Sequence, residues 1–216
     1  MPVFQRGFIW ARKDRLALFE SIAAGYPIGS LIFWRAEHDY PSSPTIGPFQ
    51  IPQEQSPYPK DYIIDGHQRI ATLFGVLHAA SEQASKSTAS SKPFAIEDFE
   101  QWIIYYELEN EKFTYTEGEE DTTYYLPLHA LIETWDFLHE REKILKKFGG
   151  HADVYLEKAA QLAQTFLNYD IPIIRISGGD MDNGLEVFSR INSCGRMLTK
   201  EQIFHASSMQ QRGVIA

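Results

Sequence analysis

Asp61-Tyr62-Ile63-Ile64-Asp65-Gly66-His67-Gln68-Arg69-Ile70-Ala71-Thr72-Leu73-Phe74-Gly75-Val76-Leu77 is the stretch on which the chain turns. Tyr62, Ile63 and Ile64 form a short apolar run of strand formers. Ile70, Leu73, Phe74 and Leu77 then recur at the spacing of one helix face. Asp65, which can cap, and Gly66, which can take any backbone angle, lie between the two. The reading is strand, tight turn, helix, with His67, Gln68 and Arg69 at the start of the helix. Free backbone N–H groups and the positive dipole end gather there and favour an anion. Arg69 adds a planar fork suited to phosphate oxygens. Asp65 adds a carboxylate able to orient water or hold a metal ion. On periodicity alone the same residues make an ordinary strand-to-helix corner, because D-G-x-x-R is a weak pattern.

Composition narrows the field. The 216 residues are 44% hydrophobic and 13% aromatic, enough for one good-sized core or two small lobes. No apolar run reaches membrane-spanning length, and Met1 to Arg6 lacks the order of a signal peptide. The expectation is a cytoplasmic protein with no membrane partner. One cysteine, Cys194, excludes an internal disulfide and reads as a small loop residue. A net charge of -9 argues against general nucleic-acid binding by the overall field and confines any DNA contact to a local patch. The seven histidines form no HExxH, no CxxC occurs, and neither a GxGxxG nor a Walker loop is present.

Before the corner, the spacing predicts a helix over 14–24, with Asp14 as its cap and Gly25 at its end. A turn follows at Tyr26-Pro27-Ile28-Gly29-Ser30, then a strand, Leu31 to Trp34, whose apolar continuity suggests burial on both sides. The proline density of 37–60 predicts a long surface loop without regular elements. After the corner, the serine-rich stretch 81–92 reads as a flexible linker. A strand over 101–107 pairs with 112–116 across Glu109-Asn110-Glu111. Two helices, 130–148 and 152–168, flank Gly149-Gly150. Their stripes, Trp135, Phe137, Leu138, Ile144, Leu145 and Phe148 on the first and Val154 to Leu167 on the second, read as core. A strand runs over 171–176, and a helix around Leu185 to Ile191 breaks at Asn192-Ser193-Cys194-Gly195. Thr199 caps one more helix, 200–206. That pair is no DNA-reading helix-turn-helix, because base-reading residues do not cluster on its second helix.

Three stretches in order resemble one family. They are Phe4-Gln5-Arg6-Gly7-Phe8-Ile9-Trp10 with Tyr26-Pro27-Ile28-Gly29 behind it; Ile64 to Leu73, similar to the signature "lDGQQRltTL"; and Val187-Phe188-Ser189-Arg190-Ile191-Asn192 running on to Thr199. The chain resembles the GmrS-type, ParB-like nuclease-domain family of modification-dependent restriction and phage-defence systems. The likeness implies an α+β fold of the ParB/sulfiredoxin type, with a small mixed sheet and an added helical part. The linker 81–92 parts a front half, 1–80, carrying the DGHQR motif, from a back half, 93–216, the two joined in one continuous domain. The likeness also implies nucleotide binding or hydrolysis coupled to cutting of modified DNA. The implied nucleotide-binding residues are Gln5, Arg6, Gly66, Gln68, Arg69 and Asn192. The implied catalytic residues are Asp65, His67 and Arg69, with Asp65 holding Mg²⁺. The nucleotide is GTP or another NTP, and longer relatives supply an HNH-type nuclease domain or subunit. His67 stands where the family signature has glutamine, so two rivals stay open beside the NTPase: a non-catalytic sensor of nucleotide or modified DNA, and a direct metal-dependent DNA nuclease. For the sensor, Phe8, Trp10 and Trp34 are candidate stacking residues, against the more common role of core packing.

Overall fold

A computed structural model of the chain describes residues 7–38, 40–50, 59–79, 99–115, 123–179 and 181–193. Gln5, Arg6, the stretch 81–92, Cys194 and the expected helix at 200–206 lie outside these residues, as does the side chain of Asn192.

The fold is α+β. Helix α1 (Arg12–Ala23) leads into strand β1 (Leu31–Ala36), a short hairpin β2 (Thr45–Ile46) and β3 (Phe49–Gln50), strand β4 (Lys60–Asp65), and helix α2 (His67–Leu73). The back half has β5 (Tyr105–Glu107), β6 (Lys112–Thr114), β7 (Tyr125–Pro127), α3 (Thr134–Phe148), α4 (Ala152–Leu167), β8 (Ile173–Ser177) and α5 (Met181–Ser193). β1 is the centre of a mixed three-stranded sheet, antiparallel to β4 and parallel to β8. The crossover that a parallel pair requires is the whole stretch between β1 and β8. β5 centres a second, antiparallel sheet between β6 and β7.

Two cores result. The larger gathers Leu18, Phe19 and Ile22 of α1, Phe49 and Val76 with Trp102, Ile104, Leu126, Ile144 and Leu162, so residues from both sides of 81–92 pack together. The smaller lies on one face of the mixed sheet, where Ile32, Trp34, Tyr62 and Ile64 meet Val187 and Phe188 of α5. Trp34 is buried there and its indole N–H donates to the Gly178 carbonyl at 3.0 Å. Phe8 packs on Trp102 with ring centroids 5.0 Å apart, and Trp10 also lies against the larger core. All three aromatics therefore serve packing.

Several sequence expectations are corrected. The stretch 37–60 contains the β2–β3 hairpin. Gly47-Pro48 turns it, and Phe49, fully buried, sets its ring 4.7 Å from that of Trp102. α1 starts at Arg12, with Ala11 as its N-cap; Asp14 sits inside the first turn and accepts the Ala11 N–H at 2.9 Å. The helix after the corner packs the expected Leu73, Phe74 and Leu77 against the larger core and also buries Ala71, Thr72, Gly75 and Val76, widening into π-helical turns over Phe74–Ala79. The strand expected over 101–107 is shortened to β5 by a 3₁₀ turn, Phe99–Trp102, that drives Trp102 into the core. Residues 128–131 are likewise 3₁₀, and α3 begins only at Thr134. The stripe assigned to α3 is half wrong: Ile144 is buried, but Trp135, Leu138 and Leu145 face outward. Val154 and Leu167 of α4 are exposed too.

Candidate functional site

β4 delivers Asp65 to the end of the sheet, and Gly66 turns the chain. Gly66 sits at φ 96 as the N-cap of α2, without a side-chain cap, and its carbonyl accepts the first helical bond from the Ile70 N–H at 2.9 Å. A Cβ on Gly66 would stand 2.4 Å from Leu31 Cδ2, so both the backbone angle and the space require glycine. Asp65 is thus the last strand residue rather than a cap, and its carboxylate is turned to Arg69.

Each polar residue of the turn fastens a different segment. Gln68 takes the segment next to the Gln5-Arg6 pair. Its Nε2 donates to the Gly7 carbonyl at 3.0 Å, and its Oε1 accepts from the backbone N–H groups of Ile9 and Trp10 at 2.9 and 3.2 Å. Arg69 takes the Tyr26–Ser30 turn: Nη1 donates to the Ile28 carbonyl at 2.8 Å while Nη2 donates to Asp65 Oδ2 at 2.8 Å. Gly29 (φ 85) lies flat against the guanidinium, and a Cβ there would stand 2.7 Å from Nη1. Tyr169 braces the same turn, donating to the Tyr26 carbonyl at 2.6 Å and accepting the Ile28 N–H at 3.1 Å. His67 takes the hairpin, its Nε2 accepting the Gly47 N–H at 3.1 Å. The corner therefore joins stretches about sixty, forty and twenty residues away in sequence.

The electrostatics separate the two acids of β4. Asp61 is shared by Arg35, at 2.9 and 3.2 Å, and Arg175, at 3.1 Å. The bonded Arg35 guanidinium holds the Asp61 carboxyl below the usual carboxylate range. Among the described residues Asp65 pairs with one arginine, Arg69, through Oδ2; its side chain is 36% exposed, against 14% for Arg69. No group of three or more metal-binding side chains occurs among those residues. Mg²⁺ needs no such group when substrate phosphates complete its shell.

His67 is 6% exposed. With Nε2 accepting, the proton sits on Nδ1, which is buried without a hydrogen-bond partner among the described residues. Burial pushes its pKa below the ordinary histidine value. A cavity of about 490 Å³ is lined by Gly29, Ser30, Thr165, Asn168, Tyr169 and Asp170, with none of residues 65–69 in its lining. The sequence shows the Tyr26–Ser30 turn, and only the family likeness ties it to the corner. It gave no signal for the Gly47 N–H or for the Arg35–Asp61–Arg175 cluster, since these partners lie far apart in the chain.

Val187 and Phe188, from the third family stretch, pack on the covered face of the sheet that carries Asp65. Comparison with known proteins completes the picture. A family model described as "GmrSD restriction endonuclease, N-terminal domain" matches residues 1–209. The uncharacterized protein MJ0686 of Methanocaldococcus jannaschii is 24% identical over 223 residues, covering 92% of this chain and 37% of that protein. The chain thus spans little more than a third of the length of the curated relative it matches.

Proposed function

Since the chain belongs to the family of the GmrSD restriction endonuclease N-terminal domain, we propose that it is the nucleotide-binding and hydrolysing domain of a DNA restriction or phage-defence protein. The observation that carries this reading is the fastening of Gly7, Ile9 and Trp10 by Gln68, which brings the segment after Gln5 and Arg6 to the Asp65–Arg69 pair. In this reading Asp65 would hold Mg²⁺ and Arg69 would hold a phosphate oxygen, and the metal would supply charge neutralisation at the phosphates, the positioning-plus-electrostatics route of phosphoryl transfer.

A binding-only sensor is the second reading, and His67 favours it. A buried, neutral imidazole whose Nε2 is already engaged is poorly placed to shuttle protons. DNA cutting would then fall to an HNH-type nuclease partner.

Nucleotide titration and phosphate release, run across the four NTPs with Mg²⁺ on wild type, Asp65→Ala and Arg69→Lys, test the proposal. Binding should weaken at least tenfold in Arg69→Lys, which keeps the charge and loses the fork. Turnover should vanish in Asp65→Ala. Binding without turnover in wild type selects the sensor. No binding of any NTP by wild type refutes the NTPase and the nucleotide sensor alike, and leaves a sensor of modified DNA to a DNA-binding titration with and without modified bases.

A further inference from the structure

The second face of the mixed sheet is a feature outside the corner. Strand alternation decides which residues it carries. Trp34, Tyr62, Ile64 and Ile176 point into the smaller core. Phe33 and Arg35 of β1, Asp61 and Ile63 of β4, and Ile173 and Arg175 of β8 therefore share the opposite face. Phe33, Ile63 and Ile173 belong to neither core, and Ile173 is 58% exposed. The register sets Phe33 beside Ile63 on one side and beside Arg175 on the other, so an aromatic ring sits at the middle of the face. Trp34 is the residue the sequence marks for stacking; alternation buries it and turns its neighbour Phe33 outward.

The charges on this face are out of balance. Arg175 reaches across β1 to share Asp61 with Arg35, so one carboxylate serves two guanidiniums. Arg35 donates through Nε and Nη2, and Arg175 through Nε alone. Nη1 of Arg35 and both Nη groups of Arg175 carry no bond among the described residues. The two side chains are 39% and 47% exposed. Ion pairs this open to water add little to stability, while the unused sides of the forks suit phosphate oxygens. Asp65 ends the same row of β4, about 13 Å from Asp61, with its charge met by Arg69.

We propose that this face binds single-stranded nucleic acid, with a base stacked on Phe33 and the flanking phosphates held by Arg35 and Arg175. A ring beside cations accepts the flat side of any base. An acidic peptide would use the arginines and leave the ring idle. A duplex keeps its bases stacked on one another and offers none to the ring. The net charge of -9 opposes the approach of any polyanion, so the contact is local and strongest at low salt. It stands apart from the nucleotide reading of the corner, and either can fail alone.

Fluorescence anisotropy of a labelled short oligothymidylate with the full chain at low salt tests this, beside a strand of abasic spacers, a duplex and oligoglutamate of equal charge. The full chain should bind the thymidylate, and each of the other three more weakly by at least about fivefold, the lower end for one stacked base. Phe33→Leu should cost the same factor for the thymidylate and nothing for the abasic strand. Arg175→Gln should weaken both strands, and Asp61→Asn, which removes the competing carboxylate, should tighten both. Circular dichroism checks the fold of each variant, and nucleotide affinity read on the same samples keeps a failure here distinct from a failure at the corner. No binding of the thymidylate by wild type overturns the proposal, as does equal binding of the duplex or of oligoglutamate. So does a folded Phe33→Leu or Arg175→Gln that binds as wild type does, or a folded Asp61→Asn that binds less.

Discussion

Gly29→Ala perturbs the corner without touching any residue of the DGHQR motif. Gly29 has φ 85, and the added Cβ would stand 2.7 Å from Arg69 Nη1, well inside contact distance. Two terms follow. The left-handed backbone angle disfavours alanine by about 1–2 kcal/mol. The stiffer unfolded chain returns about 0.4–1 kcal/mol of this. Arg69 must then swing away, breaking its charged hydrogen bond to the Ile28 carbonyl, for a further loss of about 1.5–3 kcal/mol. Gly25→Ala is the control. It lies in the same connection at φ 70, yet nothing stands within 4 Å of its added Cβ, so only the backbone terms apply. The difference between the variants isolates the displaced guanidinium. It amounts to about 1.5–3 kcal/mol, or about 3–12 °C in melting temperature for a domain of this size. Urea unfolding of both variants at pH 8 measures it, with the slopes compared to verify that the unfolded states match. Equal destabilisation by the two substitutions refutes the reasoning, and Arg69 then contributes nothing by gripping the turn. A clear difference with nucleotide affinity unchanged would leave the grip standing and remove Arg69 from the binding site.

Two other outcomes are expected. His67 and His129 are both held below the ordinary histidine pKa by burial, so their contribution to stability is full above about pH 6.5 and is lost as the pH falls, when the unfolded chain takes up protons that the folded chain refuses. His67→Gln, which can still accept the Gly47 N–H, should flatten the dependence of unfolding free energy on pH below about 6.5 by up to about 1.4 kcal/mol per pH unit; parallel curves for variant and wild type would place the proton elsewhere. Gly75→Ala adds a Cβ that would lie 2.3 Å from Trp102 and 2.6 Å from Phe49, two fully buried rings. Overpacking should outweigh the better helix propensity of alanine and destabilise by about 1–3 kcal/mol, seen as a lower melting temperature with altered tryptophan emission.

Local chemistry made much of this molecule readable. The strand at Tyr62–Ile64, the turn at Gly66, the strand at Leu31–Trp34 and the helix pair around Gly149 depend on neighbours within a few residues, and each is present. The α+β class came with the family likeness, and the structure has it. The failures share one cause. Phe49 looks like loop sequence because its reason for being ordered, Trp102, is fifty-three residues away. The helix after the corner buries more than its predicted face, because Gly75 lets Trp102 and Phe49 approach its backbone closely. Trp135 was read as core because an apolar stripe states that a face prefers cover, and not whether its own chain supplies it. At the corner the residue types were legible and their partners were not. Gln68, Arg69 and His67 look outward-facing in the sequence, yet each is bonded to backbone from a distant segment.

Those bonds have a bearing on how such a protein can drift over generations. The atoms received by Gln68, Arg69 and His67 are peptide carbonyls and amides of residues 7, 9, 10, 28 and 47, groups that every coded residue except proline possesses in full. Mutation can rewrite Phe8, Ile9 or Ile28 and leave the knot tied. The selective burden falls instead on a handful of letters, D-G-x-Q-R and the glycine that lies against the arginine, so descendants could become unrecognisable everywhere else while still folding around the same bend.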